Sequence, residues 1–181
     1  MRRLLQLGTL VIAALATAHC ATMDAGSHVR RGVDFTRYRT FDWGAPDALP
    51  ASDPRFDRNP SFKDYFHGTV ERQLADRGLA RSVSGKPDLL IHYHASIDDR
   101  VVLDRSGAAQ GYCYDEDCQS GVIPYERGTF VLDFIDAKTN AVVWRGWAQQ
   151  SVDGVLDNPS RMSRQINLAV TRMLQRLPRV I

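Results

Sequence analysis

The chain has 181 residues, of which 44% are hydrophobic and 24% are charged, a composition typical of a globular domain and too apolar for intrinsic disorder. Its 23 basic residues include Arg2 and Arg3, so 21 remain beyond residue 20, where they are balanced by all 21 acidic residues. A neutral chain has no basic excess for binding phosphates, so nucleic acid is disfavoured as a partner.

The first 19 residues have the pattern of an export signal. Met1-Arg2-Arg3 is a short positive segment, and an apolar run follows it over residues 4–18. This run is shorter than the roughly 20 residues that a membrane-spanning helix requires, and small residues come after it. We therefore expect residues 1–19 to be a signal peptide and the protein to be exported.

Two processing sites compete at the end of this segment. Residues 16–18 (Ala-Thr-Ala) fit ordinary signal peptidase, which would release a soluble periplasmic protein beginning at His19. Cys20 instead fits a lipoprotein site with a diacylglyceryl group on its thiol, although Thr17 and His19 depart from the usual pattern. Lipidation is favoured because the chain has three cysteines, and an unlipidated Cys20 would leave an odd thiol in an oxidising compartment. Since Ala21 follows the cysteine, we expect a lipid anchor at the periplasmic face of the outer membrane.

The mature chain begins with a segment that the sequence predicts to be a tether. Residues 20–32 are small and polar, and a single domain is expected over residues 33–181. Within it, residues 38–43 alternate between polar and apolar side chains, which predicts a half-buried strand. Residues 44–60 contain four prolines and are predicted to form a loop.

A helix and a long strand are predicted next. From Ser61, a plausible N-cap, apolar residues recur at helical spacing, and Gly78 is a plausible helix stop. Residues 88–97 have a strand pattern that can continue to Leu103. Residues 104–124 are rich in glycine and acidic residues and are predicted to be a long loop, a feature that in small domains is usually functional or mobile.

Two further strands and a helix complete the pattern. Residues 128–135 and 141–152 read as a hairpin, closed by Asn140 in a left-handed conformation. One shared face is predicted for Phe130, Leu132 and Phe134. A second is predicted for Val142, Trp144 and Gly146, with Val143, Arg145 and Trp147 opposite, so one tryptophan is expected in the core. An amphipathic helix is predicted from Pro159 until Pro178 ends it.

The order strand, helix, three strands and helix predicts an α+β two-layer sandwich. A mostly antiparallel sheet of about four strands, with two helices on one face, buries every apolar stripe described above.

Several blocks of the sequence resemble a bacterial lipoprotein family described as domain of unknown function, family 4136. They are residues 34–43 (DFTRYRTFDW), 74–79 (LADRGL), 86–91 (KPDLLI), 128–133 (GTFVLD) and 142–146 (VVWRG). The blocks occur in the family's order and span nearly the whole mature chain. The resemblance implies an envelope lipoprotein and supports Cys20 as the lipid attachment site, and it implies no catalytic residues.

Cys113 and Cys118 flank an acidic tetrapeptide and are the most distinctive local feature. Four intervening residues can close a small disulfide loop, and export supplies the oxidising compartment. The alternative is a metal site that combines the thiolates with the three carboxylates between them, but such a mixture of hard and soft ligands suits no single metal well. The sequence favours the disulfide.

His92 and His94 lie two residues apart on a predicted strand, so both imidazoles project from one face. That geometry can provide two ligands for zinc or copper, with a third from His67, Asp98 or Asp99. Packing and hydrogen bonding are the more common roles of such a pair, so the metal-binding interpretation is the alternative.

The sequence contains no G-x-S-x-G, G-x-G-x-x-G, phosphate-binding or H-E-x-x-H motif. We therefore expect a non-enzymatic envelope lipoprotein without a cofactor, which binds or scaffolds other envelope proteins at the outer membrane. The alternative is a periplasmic metal-binding protein that uses His92 and His94.

Overall fold

The computed structural model describes residues 23–44, 53–83, 85–104 and 121–179, which form an α+β structure. The strands are β1 (Asp24–Val29), β2 (Thr40–Trp43), β3 (Ala80–Arg81), β4 (Leu89–Asp104), β5 (Gly121–Asp136) and β6 (Ala141–Ser151). The helices are α1 (Pro54–Asp57), α2 (Pro60–Ala75) and α3 (Pro159–Leu174), and a short 3₁₀ turn covers Phe35–Arg37. Among the described helices, none is both long and apolar enough to cross a membrane.

The six strands form one mixed sheet in the order β1-β6-β5-β4-β2-β3. The pairs β1–β6, β6–β5 and β5–β4 are antiparallel, whereas β2 is parallel to both β4 and β3. The α+β class is confirmed. The expected sheet of about four mostly antiparallel strands was too small, because β1 and the two-residue β3 were missed.

Strand β1 corrects the prediction that residues 20–32 form a flexible tether. Its six residues pair with β6 along their whole length, from Asp24 opposite Gln149 to Val29 opposite Trp144. The indole of Trp147 lies across Gly26, where an added Cβ would overlap the ring. The small side chains that suggested flexibility therefore reflect close packing beneath a large aromatic group.

Asparagine–proline pairs start both long helices. Asn59 Oδ1 accepts a hydrogen bond from Phe62 N at 3.1 Å, so Asn59 is the N-cap of α2 instead of the predicted Ser61. Asn158 Oδ1 accepts from Arg161 N at 2.9 Å in the same way, and proline follows each cap where a helix needs no donor. The chain leaves α2 through Gly78, which has a φ of 90° and confirms the predicted stop.

The core lies between the helices and a single face of the sheet, as predicted. Alternate residues of β4, β5 and β6 bury one face, whose largest side chains are Leu89, Ile91, Phe130, Leu132, Phe134 and Trp144. The apolar stripes of α2 and α3 cover it with Phe62, Phe66, Val70, Leu74, Met162, Ile166, Val170, Met173 and Leu174. Among the described residues the buried core runs from Met23 to Leu177, and a chain that starts at residue 21 retains all of these residues.

A β-bulge shifts the register of the β5–β6 hairpin. Ile135 pairs with Val142, but Phe134 pairs with Trp144, which leaves Val143 as the extra residue. Val142 therefore lies on the face opposite Trp144, contrary to the predicted alternation. The predicted opposition of the two tryptophans is confirmed, since Trp144 is 1% exposed and Trp147 is 38% exposed.

Two predicted loops are shorter than the sequence indicated. Pro54–Asp57 form α1 within the proposed loop 44–60, because Asp53 caps the turn by accepting from Arg55 N at 2.9 Å. Strand β4 continues to Asp104, as the pattern allowed, and β5 already begins at Gly121. Of the predicted loop 104–124, residues 105–120 lie outside the described residues.

Buried Asp136 joins the β5–β6 turn to the segment before β2. Its carboxylate accepts hydrogen bonds from Lys138 N, Thr139 N and Tyr38 Oη, each at 2.9 Å. Asn140, with a φ of 54°, completes this turn as predicted. Burial alone would raise the pKa of Asp136, but the hydrogen bonds from Thr139, Tyr38 and Lys138 outweigh it and hold the pKa below its usual range.

Because this pKa is depressed by folding, ionised Asp136 stabilises the protein above the usual aspartate pKa, and the contribution is lost as the pH falls through the folded-state pKa. We expect Asp136→Asn to lower the free energy of unfolding at neutral pH by about 1–3 kcal/mol. The variant should also lose less stability than the wild type between about pH 4 and pH 2. Urea titrations across this range measure both effects.

Exposed Asp64 on α2 offers a matched control for this carboxylate. Asp64→Asn should change the free energy of unfolding at neutral pH by no more than about 0.5 kcal/mol. Equal acid sensitivity in the wild type and Asp136→Asn would contradict the role assigned to the Asp136 carboxylate.

Candidate functional site

The face of the sheet opposite the helices carries the candidate site residues, and we call it the open face. Strand alternation places these side chains on it: His92 and His94 of β4, Val131 and Asp133 of β5, and Arg145 and Trp147 of β6. The two histidines therefore share a face, as the sequence predicted. The sequence analysis did not single out Asp133.

A buried ion pair occupies the centre of the open face. Asp133 is 2% exposed and lies opposite both His92 and Arg145 in the strand register. Arg145 Nε and Nη2 donate to the two carboxylate oxygens at 2.6 Å each, a bidentate arrangement that also raises the pKa of Arg145. Because the arginine side chain is 55% exposed, it forms the solvent-facing side of the pair.

His92 is half-buried beside this pair, at the junction of β4 and β2. Its imidazole covers Gly44, where an added Cβ would overlap the ring. Burial lowers the pKa of His92, and the neighbouring His94 lowers this pKa further, while the Asp133 carboxylate opposes both effects. The neutral imidazole is therefore favoured, which is the form able to bind a metal ion.

The part of the chain that the structure describes contains no group of three or more histidine, cysteine, aspartate or glutamate residues that could hold a metal ion. Asp133 is engaged by Arg145. His67, proposed as a third ligand, belongs to the helical layer, where its ring stacks on Trp43 with centroids 3.8 Å apart. The structure therefore brings His92 and His94 to one face without completing a site around them.

Beyond the helices, β4 and β5 continue as a two-stranded ribbon, which we call the arm (residues 98–104 and 121–127). Strand β6 ends where Ser151 pairs with Arg127, and β2 pairs with β4 only as far as Ile91. At the base of the arm, Arg55 of α1 forms an ion pair with Glu126, and Asp153 accepts a hydrogen bond from Glu126 N at 2.9 Å. These contacts hold one end of the ribbon, and beyond them the side chains of Val101, Val102 and Ile123 are exposed.

The arm presents apolar side chains on both of its faces. Val101 and Val102 are consecutive residues, so they project from opposite sides, and their exposed fractions are 65% and 51%. Ile123 lies opposite Val102 in the register and is 49% exposed. The sequence predicted the strand through Leu103 but not that its end would be uncovered.

Three predicted site residues, Cys20, Cys113 and Cys118, lie outside the described residues. The lipid attachment and the disulfide therefore stay predictions.

Comparison with known proteins identifies a family and distant structural likenesses. The family model described as "Domain of unknown function (DUF4136)" matches residues 26–179. A PDZ domain protein from Parabacteroides distasonis is 18% identical with a TM-score of 0.53, and the match covers 92% of this chain and 39% of that one. A PelC dodecamer from Paraburkholderia phytofirmans is 10% identical with a TM-score of 0.46, and the match covers 84% and 95% of the two chains. No curated protein matches.

At 18% identity, the likeness to the Parabacteroides protein shows the fold alone. The chain spans 39% of the length of the Parabacteroides protein, so that protein is a much longer chain.

The Asp133–Arg145 pair yields a prediction about stability. Arg145→Gln removes the partner of a buried carboxylate and should lower the free energy of unfolding by about 2–4 kcal/mol. The double variant Asp133→Asn/Arg145→Gln has no unpaired charge, so it should be more stable than Arg145→Gln alone. Urea unfolding at neutral pH measures both differences.

The exposed ion pair between Arg100 and Asp98 is the matched control, with Arg100 Nη2 and Asp98 Oδ2 separated by 3.9 Å. Arg100→Gln should cost less than about 0.5 kcal/mol. Equal losses for Arg145→Gln and Arg100→Gln would mean that the buried pair contributes no more than a surface pair.

Proposed function

The chain belongs to the domain-of-unknown-function family DUF4136, and from that premise we propose that it is a non-enzymatic lipoprotein of the cell envelope that binds another envelope protein through the arm. The observation that carries this proposal is the exposed two-stranded ribbon with apolar side chains on both faces. The export signal over residues 1–19 and the candidate lipid site at Cys20 support the location.

Two features of the arm are energetically unfavourable in water. A two-stranded ribbon is marginally stable by itself, and its outer edges carry backbone groups that neither β2 nor β6 reaches. Exposure of Val101, Val102 and Ile123 adds an apolar surface that water solvates poorly. A partner that adds a strand to one edge, and packs side chains on either face, would remove both costs.

The chemistry of the open face supports a binding role over a catalytic one. Its buried carboxylate, Asp133, accepts a hydrogen bond from Arg145 on each of its two oxygens. His92 and His94 project beside this pair, and the sequence has none of the common nucleophile or phosphate-binding motifs. The ion pair at the centre of this face thus has a structural role.

The arm makes a prediction that cross-linking in living cells can test. A photoreactive amino acid at Val102 or at Ile123 should give one discrete adduct with a different envelope protein, because both positions lie on the exposed arm. Mass spectrometry of the adduct identifies the partner. The same substitution at Val83, a fully exposed residue between β3 and β4, is the matched control and should give no such adduct.

Two results would contradict the proposed partner. An adduct between two copies of this chain would mean that the arm mediates self-association. Equal cross-linking at Val83 and at the arm would mean that the arm has no specific partner.

The anchor makes a separate prediction about the mass of the native protein. Protein extracted from its own envelope without reductant should begin at Cys20 and carry added acyl mass. It should also be lighter by two hydrogen atoms, because Cys113 and Cys118 are oxidised to a disulfide. Cys20→Ser should lose the acyl mass, and a wild-type chain that begins at His19 without lipid would refute the anchor.

A further inference from the structure

The exposed side of α3 carries a row of arginines that neither the open face nor the arm explains. Residues 158–181 contain five arginines and no acidic residue, in a mature chain whose basic and acidic residues balance only when these five are counted. We call their surface the arginine face, and its residues are Arg161, Arg164, Leu168, Arg172, Arg176 and Arg179. Arg161, Arg164, Leu168 and Arg172 are three or four residues apart within α3, so they lie above one another on one side of the helix, and Arg176 and Arg179 follow in the segment after it.

These arginines lack the partners that other arginines of the chain have. Arg37, Arg55, Arg81, Arg100 and Arg145 each form an ion pair with a carboxylate. Among the described residues, none of the five on the arginine face does so. Arg172 Nη1 donates to the backbone oxygen of Met23 at 2.7 Å, and Arg161 Nη1 donates to that of Asp153 at 3.5 Å. Their positive charge is therefore available to an external anion.

Helix stability does not account for this arrangement. Cations near the C-terminal end of a helix interact favourably with the helix dipole, and Arg172 and Arg176 are in such positions. Arg161 and Arg164, however, lie in the first turns, where a cation opposes the dipole and where no acidic residue is present. Burial lowers the pKa of Arg77 at the end of α2, and nearby Arg179 lowers it further, while Asp76 opposes both effects. The exposed acidic groups on adjoining segments are Asp24, Asp76, Asp153 and Asp157.

The position of the arginine face relative to the predicted anchor identifies its partner. Met23 is buried at the start of β1 and is held by Arg172, a member of the face. Only residues 21 and 22 separate it from Cys20, so the Cα atom of Cys20 can be no more than about 11 Å from that of Met23. That span is close to the Debye length in physiological salt, about 8 Å, over which charges on a protein and on a bilayer attract each other.

We propose that the arginine face binds the surface of an anionic phospholipid bilayer and thereby orients the folded part of the protein on the membrane that holds Cys20. The orientation rests on the anchor given under the proposed function, whereas the lipid affinity of the face does not. Leu168 is the only large apolar residue of the face, so the binding is electrostatic and superficial and is weakened by salt.

Vesicle co-sedimentation of the chain from residue 21 onward, which has no lipid site but retains the whole core, tests the face directly. The wild type should bind vesicles that contain phosphatidylglycerol, bind pure phosphatidylcholine much more weakly, and dissociate in high salt. Each arginine near an anionic surface contributes about fivefold in affinity. Arg164→Gln/Arg176→Gln/Arg179→Gln should therefore bind roughly 100-fold more weakly. This variant retains Arg172 because of its bond to Met23.

A control variant with the same change in net charge distinguishes an effect of the arginine face from an effect of the overall charge. Lys86→Gln/Arg100→Gln/Lys138→Gln alters exposed positions on the β3–β4 segment, the arm and the β5–β6 turn, and should retain affinity within about twofold. If the triple arginine variant proves unstable, Arg164→Gln alone should lose about fivefold and Arg164→Lys should not. Equal losses in the two triple variants, or equal binding to both vesicle types, would overturn the proposal.

The outcomes also separate this inference from the proposed function. Native protein without acyl mass, combined with selective binding to anionic vesicles, would refute the anchor and leave the arginine face intact. If the native protein is acylated but its lipid-free form does not bind phosphatidylglycerol vesicles selectively, the anchor would be supported and the role of the arginine face would be refuted.

Discussion

The packing of α2 and α3 on the same face of the sheet is the constraint on which the rest of the structure depends. Each helix buries an apolar stripe, and the two also contact each other through Gln73, which donates to Thr171 at 2.8 Å. Once both helices cover one face, the alternation of strand residues sends the remaining side chains to the other. The open face, the uncovered end of the β4–β5 ribbon and the outward side of α3 all follow from this one-sided arrangement.

Long periodic segments could be predicted from the sequence because their signal is local. The stripes of α2 and α3, the β5–β6 hairpin and the extension of β4 each depend on residues within one element. Strand β1 could not be found in this way, since its small residues are explained by the indole of Trp147 from another strand. The two residues of β3 are too few to form a pattern, and the parallel pairing of β2 depends on which strands meet in space.

The centre of the open face shows the same division between local and distant information. The two-residue spacing of His92 and His94 on one strand was enough to predict that they share a face. The Asp133–Arg145 pair depends on the bulge at Val143, because continuing the pairing of Ile135 with Val142 would set Asp133 opposite Trp144 instead. The extra residue, Val143, thus aligns Asp133 with Arg145. It also directs the side chain of Trp144 into the core. It is therefore also the reason that Asp133 is not available to a metal ion beside the histidines.

Net charge, which argued against nucleic acid, conceals how charge is distributed over this molecule. A balanced chain can still concentrate five arginines on one helix and the segment that follows it if its acidic residues lie elsewhere, as the acidic segment between Cys113 and Cys118 and the carboxylates of β4 illustrate. The total governs attraction at long range, but contact with a surface depends on the charges within a Debye length of it. Because Arg172 binds the backbone of Met23, the basic side of the protein adjoins the segment that leads to Cys20. Local charge and the proposed anchor at Cys20 thus both bear on how the folded part is oriented at a membrane, which the net charge does not indicate.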